Sequence, residues 1–340
     1  MSHLLHLHPP PPNVRIAAAR SVTSLGVPLL VLYAFGRVDL GIYATFGAFA
    51  GVYGGTGRFP GRVRVQLIAA TMLLLAVASG VVTALSPHRA WLAVPVVAVW
   101  AALAAHLSDR FGWRPPGPMF ATFAAAACSA VPMTGHGIAP AVGTALATAG
   151  LAVALAAAEV RLFGADRLTG PPPDAEHPWH RQVVQMARCA AVVVVAGTIS
   201  TAAGIAHPYW AMVAAVVPMA GHTYLSQITR GLHRVIGTAA GIAVAALLLA
   251  LDLPEPAIVL LAAALQGMAE LYVVRNYGVA LLAITPLALL LVQVADPQPI
   301  GPLVGARLAE TCIGVGVGLV AVIVTRERSR RAGGPAQSGT

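Results

Sequence analysis

The stretch IGPLVGARLAETCIGVGVGLVAVIVT occupies residues 300–325 and contains only two charged residues, Arg307 and Glu310. A helix of about 20 apolar residues crosses the hydrocarbon core of a bilayer, so this block reads as a transmembrane span. It also carries a charge of each sign at membrane depth. Such residues are costly there and usually face a bundle interior or a water-filled cavity.

Similar blocks fill the chain. Of 340 residues, 58% are hydrophobic and only 10% are charged, which is too little charge to cover a soluble globule. The 26 prolines and 34 glycines divide the apolar sequence into blocks. We expect about twelve spans, at 16–35, 39–57, 63–86, 90–108, 115–134, 138–161, 183–205, 207–225, 231–252, 255–273, 276–294 and 300–325. They read as helices, because an isolated strand cannot satisfy its backbone in lipid. The expected fold is therefore an all-α integral membrane protein.

The net charge of +9 comes entirely from arginine, since the chain has no lysine. That excludes Schiff-base and P-loop lysine chemistry. The arginines cluster at block ends, which points to membrane orientation and not to nucleic acid. With the N-terminus placed inside, Arg37 and Arg89 fall outside, Arg307 falls within a span, and every other arginine falls inside. Both termini are thus expected on the cytoplasmic side of a cell (inner or plasma) membrane. Cys128, Cys189 and Cys312 lie inside apolar blocks and show neither metal spacing nor a disulfide framework. No metal and no cofactor is implied.

The chain divides into a tail (1–15), a first six-helix repeat (16–162), a polar linker (163–182), a second six-helix repeat (183–325) and a basic tail (326–340). A shift of 168 residues places Arg20 on Arg188, Gly36 on Gly204 and Arg62 on Arg230, with Gln66 opposite Arg234. A shift of 162 places Ala145 and Thr148 opposite Arg307 and Glu310. An even number of spans in each half makes the two repeats parallel.

Several residues are candidates for a substrate or proton pathway. Arg307 and Glu310 are three apart on one helix face and are expected to pair. They form either an anion or proton site or a self-neutralising structural pair. Glu270 reads as one half of an interfacial pair with Arg275. His222 is a proton relay or a packed polar contact. Tyr209 and Trp210 read as an interfacial aromatic belt, but they also open a short span broken by Pro218 and Gly221. Its counterpart, span two, is broken by glycines, and matched broken spans point to a transport site. Arg230 and Arg234, one turn apart, anchor a cytoplasmic helix end or gather anions in a vestibule. Thr285-Pro286 should kink span eleven.

The runs Pro208-Tyr209-Trp210-Ala211, Arg230 to Gly241 and Arg307-Leu308-Ala309-Glu310-Thr311-Cys312-Ile313-Gly314 resemble motifs of the fusaric acid resistance protein-like (FUSC) family. Glu310 stands where that family has Asp, and the resemblance covers about 183–325. It implies a membrane transporter related to aromatic carboxylic acid exporters and, more distantly, to plant malate channels. By that resemblance Arg230, Arg234, Arg307 and Glu310 lie on or near the permeation path. Larger members carry a sizeable cytoplasmic domain, for which these loops leave no room.

The expected function is non-enzymatic export of small organic anions, aromatic or other weak carboxylic acids, driven by proton-motive force. Glu310 would respond to protons, with Arg307 as its partner or as the carboxylate ligand. The alternatives are a passive anion channel and a non-transporting scaffold in envelope biosynthesis. The partners are membrane lipid and a small organic anion; nucleic acid is not one of them, and a homo-oligomer is allowed.

Overall fold

The computed structural model describes Pro9 and residues 14–53, 61–113, 115–163, 178–221 and 223–325. Residues 164–177 of the expected linker, His222 and the tail from Arg326 lie outside them. The described chain forms helices and no strands. In order they are α1 (Val14–Ala34), α2 (Gly41–Ala48), α3 (Gly61–Ala84), α4 (Arg89–Phe111), α5 (Met119–Ala130), α6 (Ile138–Phe163), α7 (Trp179–Ala202), α8 (Tyr209–Val216), α9 (Tyr224–Ala250), α10 (Glu255–Val273), α11 (Tyr277–Ala295) and α12 (Ile300–Val324).

Nine of these helices are long and apolar enough to cross a membrane. The expected count of about twelve spans is not confirmed by helix length. The blocks at 39–57, 115–134 and 207–225 contain α-helices of 8, 12 and 8 residues. At 1.5 Å per residue, eight residues cover about 12 Å, less than half of the hydrocarbon core. The local cause is visible in α8. Pro218 cannot continue an α-helical ladder, so the chain tightens into a 3₁₀ turn at Pro218–Ala220 and leaves it extended at Gly221. In the same way α2 runs into a 3₁₀ turn at Phe49–Val52. Both short helices are buried along their whole length. Elsewhere α11 runs as one helix through Pro286.

Polarity is inverted as lipid requires. Leu75, Val82, Val99, Leu146, Ile236, Leu247, Leu260 and Val320 are exposed on the outside of the bundle. The interior is built largely of small side chains such as Ala124, Ala125, Ala126, Ala141 and Ala145. Without a hydrophobic drive between helices, close packing and polar contacts hold the bundle together, and small residues permit both.

Within the first half α2 packs on α6 and α3 on α5; within the second, α8 packs on α12 and α9 on α11. The halves meet where α4 lies on α7 and α1 on α10. Gly36 and Gly204 follow α1 and α7 with φ of 64° and 68°. This left-handed conformation suits glycine, which has no β-carbon to clash.

Glycines also set the closest approaches. A β-carbon at Gly241 would sit 2.5 Å from the Leu281 carbonyl oxygen, and one at Gly318 would sit 2.6 Å from that of Ala215. Gly305, by contrast, faces open space. Overpacking of this kind costs about 1–3 kcal/mol. Gly241→Val should therefore lower the melting temperature in detergent, while Gly305→Ala should leave it unchanged. Equal melting of the two variants would mean that α9 and α11 are not this close.

Candidate functional site

The short helix α8 is the centre of the site. Its first turn follows the loop 203–208, and an α-helix leaves its first N–H groups without intrahelical acceptors. In lipid those groups need a protein partner. Glu310 of α12 is placed at this end of the helix, where its Oε1 accepts the backbone N–H of His207, in the loop just before α8, at 3.1 Å. Glu310 itself is fully buried. Its Oε2 faces the Ser200 hydroxyl and the Ala211 backbone N–H without a well-formed hydrogen bond to either.

One turn earlier on α12, Arg307 is also buried. Its guanidinium lies over the Trp210 ring, 4.7 Å from the ring centroid. A cation on an indole face gains roughly 0.5–2 kcal/mol. That does not replace hydrogen bonds, and Nε and Nη1 of Arg307 have no partner. The expected ion pair between Arg307 and Glu310 is not formed. No Arg307 nitrogen lies within ion-pair distance of Glu310, because the carboxylate turns to the start of α8 and the guanidinium turns to the indole.

A second buried arginine completes the cationic centre. Arg234 of α9 donates from Nη1 to the Tyr277 hydroxyl of α11 at 3.0 Å, and its Nε has no partner. Tyr277 passes its own proton towards the Met119 sulfur at 3.9 Å. Arg234 and Arg307 are close enough to repel each other electrostatically. Buried ions cost several kcal/mol each unless paired and hydrogen-bonded. This centre therefore has an unmet demand for negative charge.

Aromatic rings form one wall. Tyr209 stacks on Phe123 of α5 with centroids 6.3 Å apart, and the His207 ring lies 4.6 Å from that of Trp210. His207 Nε2 is 3.0 Å from Gln298 Oε1. His207 lies outside the spans, in the loop before α8. Burial holds its pKa below the ordinary value of 6.5, an effect only partly offset by the Gln298 hydrogen bond.

The structure thus brings Arg234, Arg307, Glu310, Tyr209 and Trp210 together. Arg230 lies at the edge, half-buried one turn before Arg234 and within electrostatic reach of Tyr277. His222 falls outside the described residues. Sequence reading missed Tyr277, Phe123, Met119 and Gln298. Tyr277 opens an apolar block after the helix-capping Asn276, where an aromatic reads as interfacial. Nothing local marks it as the ligand of an arginine on another helix.

A polytopic helical bundle with an apolar outer surface and charged groups buried inside is a multi-pass membrane protein. Residues 194–321 match the family described as fusaric acid resistance protein-like, and the three motif runs from Pro208 to Gly314 all fall within that match. The chain is also similar to the uncharacterized membrane protein YvaC of Bacillus subtilis (strain 168). The two are 29% identical over 138 residues, which is 40% of this chain and 22% of that protein. The alignment thus spans about a fifth of that relative's length. No solved structure matches the chain significantly.

The lowered pKa of His207 has a stability consequence. The folded state disfavours its proton, whereas the unfolded chain takes one up below about 6.5. Lowering the pH through that value should therefore destabilise the wild type more than His207→Gln. Parallel melting curves for the two proteins would show that the imidazole is not held neutral by the fold.

Proposed function

We propose that the protein is a transporter that exports small organic anions, aromatic or other weak carboxylic acids, across the cell membrane. The observation that carries this reading is the pair of buried arginines, Arg234 and Arg307, with guanidinium N–H groups left unsatisfied beside an aromatic wall. A carboxylate fits such donors in geometry and charge. A flat apolar body would lie against Trp210, Tyr209 and Phe123. Proton-motive force is the proposed energy source, since the sequence offers no nucleotide-binding motif. Glu310 serves here as the acceptor that fixes the start of α8, and Arg307 as an anion ligand.

We further propose that the chain is two parallel copies of one six-helix unit, with both termini in the cytoplasm. Three features support the duplication. Advancing the first-half contacts α2–α6, α3–α5 and α4–α5 by six helices gives α8–α12, α9–α11 and α10–α11, which also pack. The same advance turns α4–α7 into α10–α1. Finally, Gly51 and Met219, 168 residues apart, both offer carbonyls to side chains from the first helix of their own half. The orientation rests on the distribution of arginines.

Purified protein in liposomes tests the transport reading directly. Each charged hydrogen bond is worth about 1.5–3 kcal/mol, or roughly ten- to hundredfold in affinity. Arg307→Ala and Arg234→Ala should each raise the half-saturating benzoate concentration by about that factor. Wild-type kinetics in both variants would place the anion elsewhere. Downhill flux carrying current, with no response to an imposed proton gradient, would make the protein a channel. The absence of flux for any acid would favour the scaffold.

A further inference from the structure

Helices α8 and α12 begin at the same end of the bundle. They run side by side in one direction, with Gly314 close to Ala211 and Gly318 close to Ala215. Two loops meet at that end, 203–208 before α8 and 296–299 before α12. Gln298 of the second loop offers its amide oxygen to His207 Nε2 of the first at 3.0 Å. Its amide nitrogen points at the Asp296 carbonyl at 3.4 Å, which fixes the orientation of the group. The backbone of Gln298 is braced on α11. Its N–H donates to Gln293 Oε1 at 3.3 Å, and Gln293 Nε2 donates to its carbonyl at 3.0 Å. His207 is braced on α12, where Glu310 accepts its backbone N–H. Each loop is thus anchored to a helix, and a hydrogen bond between two side chains joins them.

The anion site lies directly beneath this contact. The His207 ring is 4.6 Å from the Trp210 ring, and the Arg307 guanidinium is 4.7 Å from the same ring. Trp210 itself is fully buried. At 1.5 Å per residue, Arg307 lies about 10 Å along α12 from Ile300. Helix α9 runs the opposite way, with Gly231 against Val315 and Leu319 of α12. Along the axis of α12 the arginines therefore follow one another as Arg230, Arg234 and Arg307, in the direction of Gln298. An anion carried along that series meets the His207–Gln298 contact next.

We propose that His207 and Gln298 form the gate that closes the anion path at this end, the outer one in the orientation that the arginines favour. A hydrogen bond between side chains in loops contributes little net free energy, because water replaces it readily. It can break and re-form in each turnover while the braces on Gln293 and Glu310 stay in place. Loop movements of this kind fit the timescale of a transport or catalytic cycle. Trp210 joins the gate to the site. An anion that takes up the unsatisfied N–H groups of Arg307 draws the guanidinium away from the indole. The indole then loses one of the two groups that hold it in place, and the His207 ring loses the support beneath it. An occupied site thus favours opening, and an empty one keeps the end shut. His207 and Gln298 act here as positioning residues, and Arg307 remains the ligand.

The proposal rests on the anion-transport reading, and two measurements separate them. Iodide, an anionic quencher, reports access to Trp210, whose emission is the difference between a protein and the same protein carrying Trp210→Phe. In purified protein, iodide should quench that emission severalfold more strongly in Gln298→Ala than in the wild type. His207→Ala keeps the backbone N–H that Glu310 accepts, and should give the same increase. Equal quenching in the wild type and both variants would overturn the proposal. In liposomes, both variants should move benzoate downhill severalfold faster than the wild type, whereas damage to the fold would slow them. Flux at or below the wild-type rate in both would overturn the gate. Wild-type protein that moves no acid, with Trp210 opened to iodide in Gln298→Ala, would sink the anion reading and leave the gate standing.

Discussion

Lipid supplies no hydrogen bonds, and in this bundle two helices break at membrane depth. Every backbone group freed by those breaks needs a partner from the protein itself. The buried polar side chains are placed accordingly. Glu310 accepts the N–H before α8, while Gln185 and Gln227 donate to the Met219 and Gly221 carbonyls after it. In the first half Arg20 and Gln66 do the same for Gly51, and Gln66 also for Tyr53. The polar residues that look costly in an apolar sequence are the ones that make a broken helix tolerable.

The two halves solve this problem with different charge balances. Arg20 of the first half has its own acid in Glu159. In the second half Arg234 finds a tyrosine hydroxyl and Arg307 an aromatic face. Glu310, the acid within reach, is occupied with the backbone before α8. The first cluster thus holds an ion pair of its own, whereas the second leaves guanidinium N–H groups without acceptors.

Close packing ties the two clusters to the fold. Small residues bring α1 onto α10 and α9 onto α11 so closely that an added β-carbon would meet side-chain atoms in the first interface and backbone carbonyls in the second. A shift of the α9–α11 interface would move Tyr277 relative to Arg234. The glycine spacings therefore position chemistry as well as pack helices. They could not be read that way from the sequence, where four-residue glycine spacing is common in any small-residue span.

The sequence by itself determined the membrane class, the helical blocks and the residues at membrane depth. Hydropathy and charge act locally and leave a direct trace in composition. It also marked the broken blocks 39–57 and 207–225, where glycine or proline interrupts the apolar run, although Pro286 sits inside an unbroken α11. It did not reveal that 39–57, 115–134 and 207–225 hold only short α-helices, since hydropathy does not report where a ladder of hydrogen bonds ends. Only tertiary structure decided the partners. Spacing put Arg307 and Glu310 on one face, but the start of α8 and the Trp210 ring drew them apart. Tyr277, Phe123 and the Arg20–Glu159 pair come from helices distant in sequence. Their meeting depends on how the bundle packs, and no local pattern of residues encodes it.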